Sequence, residues 1–199
     1  MDLDSEHILF WMDAIRNSKD PKRTLESFWK GQIRSKEWLI NSLRPHITKM
    51  IAVDICGGWN GVLASMLFQS NIVYKSIRSI DIDPSCEEIA NTINKMEQMV
   101  GKFQAVTADM CDLNYNADVV INTSCEHITQ EQYDKWLDNI LPGSLIVVQS
   151  NNYQIPEHIR TADSLKTFEE QSNLKILWSG EYKLPLYKRF MIIGKIKDQ

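Results

Sequence analysis

At 199 residues the chain has the length of one domain with room for a small appendage, and it can bury a core without staples. Its 43 % hydrophobic and 24 % charged residues are ordinary for a soluble globular protein. A formal charge of −4 speaks against a general nucleic-acid footprint and leaves a local basic face open. The cysteines at 56, 86, 111 and 125 are scattered without a C-x-x-C pair, which predicts neither a zinc site nor a disulfide framework and makes a reducing, cytoplasmic setting the expectation.

The start, MDLDSEHILFW, is acidic and its apolar stretch is short, so neither a signal peptide nor a membrane span is expected. Residues 5–47 read as helical. Ile8, Trp11, Met12 and Ile15 recur at helical spacing, as do Leu25, Phe28, Trp29 and Ile33. Between them, Asp20 is the expected N-cap ahead of Pro21 at the first helical position.

From residue 50 the rhythm changes. MIAVDIC is followed by VLASMLFQS, SIRSIDID by a helix over PSCEEIANTINKMEQMV, then FQAVTAD, then ADVVINT by TQEQYDKWLDNIL, then SLIVVQS. Alternation of this kind predicts βαβ units and a mostly parallel sheet. Asp83-Pro84 and the capping box Thr129-x-x-Gln132 mark two helix starts. LKILWSGEY and KRFMIIGKI are separated by five residues, too few for a parallel crossover, so the chain is expected to end in an antiparallel hairpin.

The stretch DICGGWNG, residues 54–61, collects three of the chain's eight glycines directly after an acid. Glycines there let backbone approach a ligand closely, or serve a tight strand–helix turn. In open α/β sheets ligands bind at the carboxyl ends of the strands. Asp54, Asp81 and Asp109 are expected at three successive strand tips, where carboxylates suit ribose hydroxyls and a nucleoside better than a phosphate-rich ligand.

These stretches resemble the motifs of class I S-adenosylmethionine-dependent methyltransferases over residues 50–196. Asp54-Ile55-Cys56-Gly57-Gly58-Trp59-Asn60-Gly61 resembles the family's D/E-x-G-x-G-x-G, with Cys56 and Asn60 in place of two glycines. Asn60 tolerates a left-handed backbone, and Cys56 would set a small side chain beside the cofactor's tail. Trp59 is read either as shelter for a sulfonium or as core. Asp81-Ile82-Asp83-Pro84 resembles the second motif; the resemblance implies that Asp81 holds the ribose hydroxyls and Ile82 packs on adenine. Ala108-Asp109-Met110 resembles the third, implying Asp109 at the adenine amine and the Met110 N–H at a ring nitrogen. Residues 118–122, ending at Asn122, are similar to the fourth strand, and Leu141-Pro142-Gly143-Ser144 to the turn into the fifth. What the resemblance implies is a Rossmann-like, doubly wound, mostly parallel seven-stranded sheet with an antiparallel C-terminal hairpin. An S-adenosyl-L-methionine-binding domain over 48–199 would then be preceded by a helical cap over 1–47.

Methyl transfer needs an in-line nucleophile, exclusion of water and sometimes a base. Glu126-His127 resembles the pair after strand four in small-molecule O-methyltransferases, which makes His127 the candidate general base and Glu126 a candidate for cofactor contact or for tying down the N-terminal helices. Asn151, Asn152 and Tyr153 after strand five are candidate substrate contacts, or turn residues. Phe28, Trp29 and Trp38, with Arg34 and Lys36 nearby, are a candidate substrate lid, a packing layer or a partner interface. His7, His46 and His158 show no ligand spacing, and no metal site is expected. The leading expectation is methyl transfer to a small molecule at oxygen. A methyltransferase-like binding or regulatory module, a nucleic-acid methyltransferase, a different reaction of the same cofactor and a nicotinamide-dependent oxidoreductase are its rivals. Asp54 and the reversed last strand disfavour the last of these. Oligomeric state is not legible.

Overall fold

The computed structural model describes residues 5–197; the acidic start, Met1 to Asp4, lies outside them. Three helices come first: α1 (Ser5–Asn17), α2 (Pro21–Glu26) and α3 (Lys30–Leu43). The Asp20 carboxylate accepts from the Arg23 N–H with Pro21 inside the first turn, as the chain break predicts. The alternating part follows, with β1 (Ile51–Cys56), α4 (Val62–Phe68), β2 (Tyr74–Asp81), α5 (Ser85–Ile93), α6 (Lys95–Met99), β3 (Phe103–Thr107) and β4 (Val119–Asn122). After it come α7 (Gln130–Asp138), β5 (Leu145–Asn151), α8 (Leu165–Ser172), β6 (Leu174–Lys183) and β7 (Lys188–Ile196).

The strands form one seven-stranded sheet in the order β3-β2-β1-β4-β5-β7-β6, parallel except where β7 runs against β5 and β6. Successive side chains leave opposite faces of a strand, and this splits the core in two. Val53, Ile121, Val147 and Ile193 join Leu39, Leu43, Leu63 and Met66 of α3 and α4 on one face. Val120, Ile146, Val148 and Ile192 join Tyr133, Trp136 and Phe168 of α7 and α8 on the other. Both faces of β4 and β5 are covered, which explains their uninterrupted apolar reading. The Thr129 capping box forms with both its hydrogen bonds.

Two expectations need correction. The helix read over 84–100 is two helices, because the buried Asn94 side chain donates to the carbonyls of Gly61 and Ala90 and ends α5 there. The aromatic residues of the N-terminal segment do not gather. Phe28 packs on Trp11, Trp38 packs on Trp178 and Tyr182 of β6, and Trp29 is exposed. Trp11, Phe28, Ile33 and Trp38 dock the helices on the core, while Ile8, Met12 and Leu25 of the same helical pattern stay exposed.

Candidate active site

β1 is central, and the chain leaves it in one direction toward β2 and in the other toward β4, so its carboxyl end is the switch point at which such sheets hold ligands. A cavity of about 820 Å3 opens there. Its floor is the 57–60 loop, its sides are the tips of β2, β3 and β4, and α2 and α3 form its roof with Arg23, Gln32, Ser35 and Lys36. An ion pair between Arg23 and Asp83 at 2.6 Å ties the roof to the β2 tip. The hydrogen bonds from Ser85, then the Arg23 pair, hold the Asp83 carboxyl below its usual range.

The glycines answer first to the protein itself. A Cβ on Gly57 would stand 2.2 Å from Ser124 Oγ, and one on Gly58 2.0 Å from Ser79 Oγ. Their absence of a side chain lets the β1 loop nest against its neighbouring strands, and its backbone then faces the cavity. The strained residue is Trp59, not Asn60: its φ is +47°, a costly value for a bulky side chain. It is held because its N–H donates to Asp81 Oδ2 at 2.8 Å while Gly61 N–H donates to the Gly58 carbonyl. Asp81 Oδ1 accepts from Asp83 N–H. The half-buried Asp81 carboxylate therefore braces the loop and keeps lone pairs for a ligand.

Of the residues singled out in the sequence, Gly57, Gly58, Trp59, Asp81, Ile82, Asp109, Met110, Glu126 and His127 line the cavity. Ile82 is 69 % exposed between acids, an apolar side chain without a protein partner to cover it. Six are brought elsewhere. Asp54 lies inside β1 opposite Arg78, which takes both its oxygens at 2.8 and 2.7 Å, so it braces two strands and does not join the other acids. Cys56 turns into the core against the Tyr115 hydroxyl, and burial pushes its thiol up to about 12. Asn122 is fully buried, accepting from Ser124 N–H. Asn151 donates to Glu126 from behind the cavity wall. Tyr153 stacks near Tyr187, and Trp29 faces outward from the roof.

What sequence reading missed is the polar floor at the β4 end. Arg189, buried in β7, donates to Glu126 Oε1, Gln149 Oε1 and the Thr123 carbonyl; Ser35 of α3 also donates to Gln149. The only signal was a basic pair leading an apolar strand, KRFMIIGKI. Lys36, a sequence neighbour of the aromatic residues, donates its amine to Gln32 Oε1 beside this floor. Burial, and then repulsion by Arg189, pulls the Lys36 amine down to about 7. The unfolded chain keeps that proton to a much higher pH, so it binds more protons than the folded chain above about pH 7, and stability rises with pH there. In urea titrations the wild-type midpoint is expected to climb relative to Lys36→Met from about pH 7 upward and to run parallel to it below. Parallel curves throughout would show that the amine is solvated.

No family model matches the chain, and no curated protein matches it. Solved structures do. Magnesium protoporphyrin IX methyltransferase from Synechocystis PCC 6803, with bound SAM, is 12 % identical with a TM-score of 0.66, covering 97 % of this chain and 92 % of its own. The N-methyltransferase NodS from Bradyrhizobium japonicum WM9, with S-adenosyl-L-homocysteine, is 11 % identical with a TM-score of 0.66, covering 95 % and 99 %. MtNAS in complex with MTA and tNA is 13 % identical with a TM-score of 0.65, covering 96 % and 70 %. The fold is that of the class I S-adenosylmethionine-dependent methyltransferases, including the reversed last strand. Among the described residues no helix is long and apolar enough to cross a membrane.

Proposed function

We propose that the protein binds S-adenosyl-L-methionine in this cavity and transfers its methyl group to an oxygen of a small-molecule acceptor. One observation carries the reading: the Asp81 and Asp109 carboxylates, from adjacent strand tips, line one cavity together with the exposed Ile82. Acceptors for sugar hydroxyls and a ring amine beside an apolar surface for a planar base are what an adenosine requires. The residues fit the cofactor in a second way. Asn60 Nδ2 is a buried donor with no partner, in the wall of the same cavity, and it suits the carboxylate of an amino-acid tail.

In this reading Asp81 holds the ribose, Ile82 covers the base, and Asp109 with the Met110 N–H reads its edge. When bound, the cofactor supplies an electrophilic methyl group on a sulfonium. The helices over 5–43 act as a cap whose polar edge, Arg23 to Lys36, excludes water. Glu126 and His127 stand at the acceptor end. The carboxylates of Glu26, Asp81, Asp83, Asp109, Glu126 and Glu157 outnumber the cations Arg23, Lys36 and Arg189 around the cavity, a balance that disfavours a polyanionic strand and favours a small acceptor over nucleic acid. Four free, buried cysteines accord with a reducing compartment.

Calorimetry with S-adenosylhomocysteine tests the first half, with a Kd below about 100 μM expected; no heat at about 1 mM would end the reading. Labelled methyl offered with fractionated metabolites and with RNA tests the second. His127→Ala is expected to leave the adenosyl affinity intact and to slow transfer by about 100-fold or more. Transfer to RNA alone would replace the acceptor class.

A further inference from the structure

Behind the acceptor end, a carboxylate oxygen of Glu126 and a ring nitrogen from each of His127 and His158 lie within 4.8 Å of one another. The rings are already oriented. His127 Nδ1 is 3.1 Å from the Glu157 carbonyl oxygen, and His158 Nδ1 is 2.6 Å from that of Tyr153. A carbonyl can only accept, so each Nδ1 carries a hydrogen, and in the neutral ring that leaves Nε2 with the lone pair a metal needs. The two rings meet edge to face, 4.8 Å between centroids. Fixing the tautomer through a backbone carbonyl is how proteins prepare imidazoles for a metal.

Glu126 provides an independent sign. It is 3 % exposed. Oε1 accepts from both the Asn151 amide and the Arg189 guanidinium, while Oε2 is buried with no hydrogen-bond partner. A bare carboxylate oxygen in the interior is costly, and a cation would satisfy it.

We propose that Glu126, His127 and His158 form a binding site for a divalent transition-metal ion. Two imidazoles and a carboxylate suit zinc, cobalt, iron or manganese better than the hard ions that prefer all-oxygen shells. Donors 2.0–2.1 Å from an ion in a tetrahedral arrangement are about 3.4 Å apart, so a cluster within 4.8 Å has to contract by up to about 1.4 Å. The histidines sit on surface segments, the 3-10 turn Cys125–His127 and the 152–164 connection, where small side-chain shifts cost little. Three protein donors leave positions open, and because Glu126 and His127 line the cavity, an acceptor held there would be within reach of the ion. Resting on the oxygen-methylation reading, the ion orients and acidifies an acceptor hydroxyl, and His127 is a ligand in place of a free base. Sequence spacing gives no sign of this cluster, because His158 is 31 positions beyond His127 and only the return of the chain along β5 brings them together.

The test uses the full chain stripped by chelator and titrated with Co2+ without any adenosyl compound, read by visible absorption, with Zn2+ as competitor. One ion per chain is expected. His127→Ala, His158→Ala and the near-isosteric His158→Gln are each expected to weaken binding by about tenfold or more, with far-ultraviolet circular dichroism and S-adenosylhomocysteine affinity unchanged. No cobalt spectrum in the wild type, or a spectrum unmoved by these substitutions, would overturn the assignment. Cobalt binding without adenosyl binding would overturn the methyltransferase reading and leave the metal site standing.

Discussion

Asp81→Ala is expected to abolish adenosyl binding at accessible concentrations. On the proposed reading Asp81 accepts two ribose hydroxyls. Hydrogen bonds to a charged group contribute about 1.5–3 kcal/mol each, and even the lower figure for both is a loss of about 100-fold in affinity. The same substitution withdraws the acceptor of the Trp59 and Asp83 N–H groups, which frees Trp59 from its left-handed conformation and loosens the loop. Asp81→Asn separates the two effects, since its amide oxygen still accepts one of those N–H groups while the charge is lost. Calorimetry with S-adenosylhomocysteine on both variants, with circular dichroism to check the fold, is the measurement. Near-normal affinity in Asp81→Ala would mean that the ribose is not held there.

Arg189→Met is expected to be the most destabilising single change among those considered. The guanidinium is enclosed and joins three elements: Glu126 in the turn after β4, Gln149 in β5 and the Thr123 carbonyl. Both charges of its pair with Glu126 are more than nine-tenths buried. Removing one partner of a buried pair leaves the other charge unpaired and costs about 3–5 kcal/mol. For a chain of this size that lowers the melting temperature by roughly 6–20 °C. Replacing the pair together, Arg189→Met with Glu126→Leu, removes the uncompensated charge and is expected to regain most of the loss. Urea denaturation of the two single variants and the double variant measures the coupling. A loss below about 1 kcal/mol in Arg189→Met would show that water reaches the pair.

The two residues illustrate different kinds of legibility. Asp81 was readable because a strand ending in an acid, before Asp-Pro and a helix, can put that side chain in only one part of an open α/β sheet. Arg189 was not, since a basic residue in the last strand reads as an edge or solvent position. It became a floor residue only because β7 inserts between β5 and β6, with Ile193 and Ile192 sealing both faces of the sheet. Asp54 failed in the opposite direction. It heads the motif that carries the resemblance, yet its cross-strand neighbour is Arg78, and neighbour identity across strands is not written in local spacing.

By itself the sequence determined the alternation of strands and helices, the capped helix starts, the terminal hairpin and the carboxylates at 81 and 109, because each follows from local rules: period, caps and the shortness of a five-residue connection. The tertiary structure alone decided which side chains share a space. The enclosure that lowers the Lys36 amine, the pairing that takes Asp54 out of the cavity, and the meeting of Glu126, His127 and His158 all come from segments distant in the chain, whose approach is set by how the sheet and its helices pack.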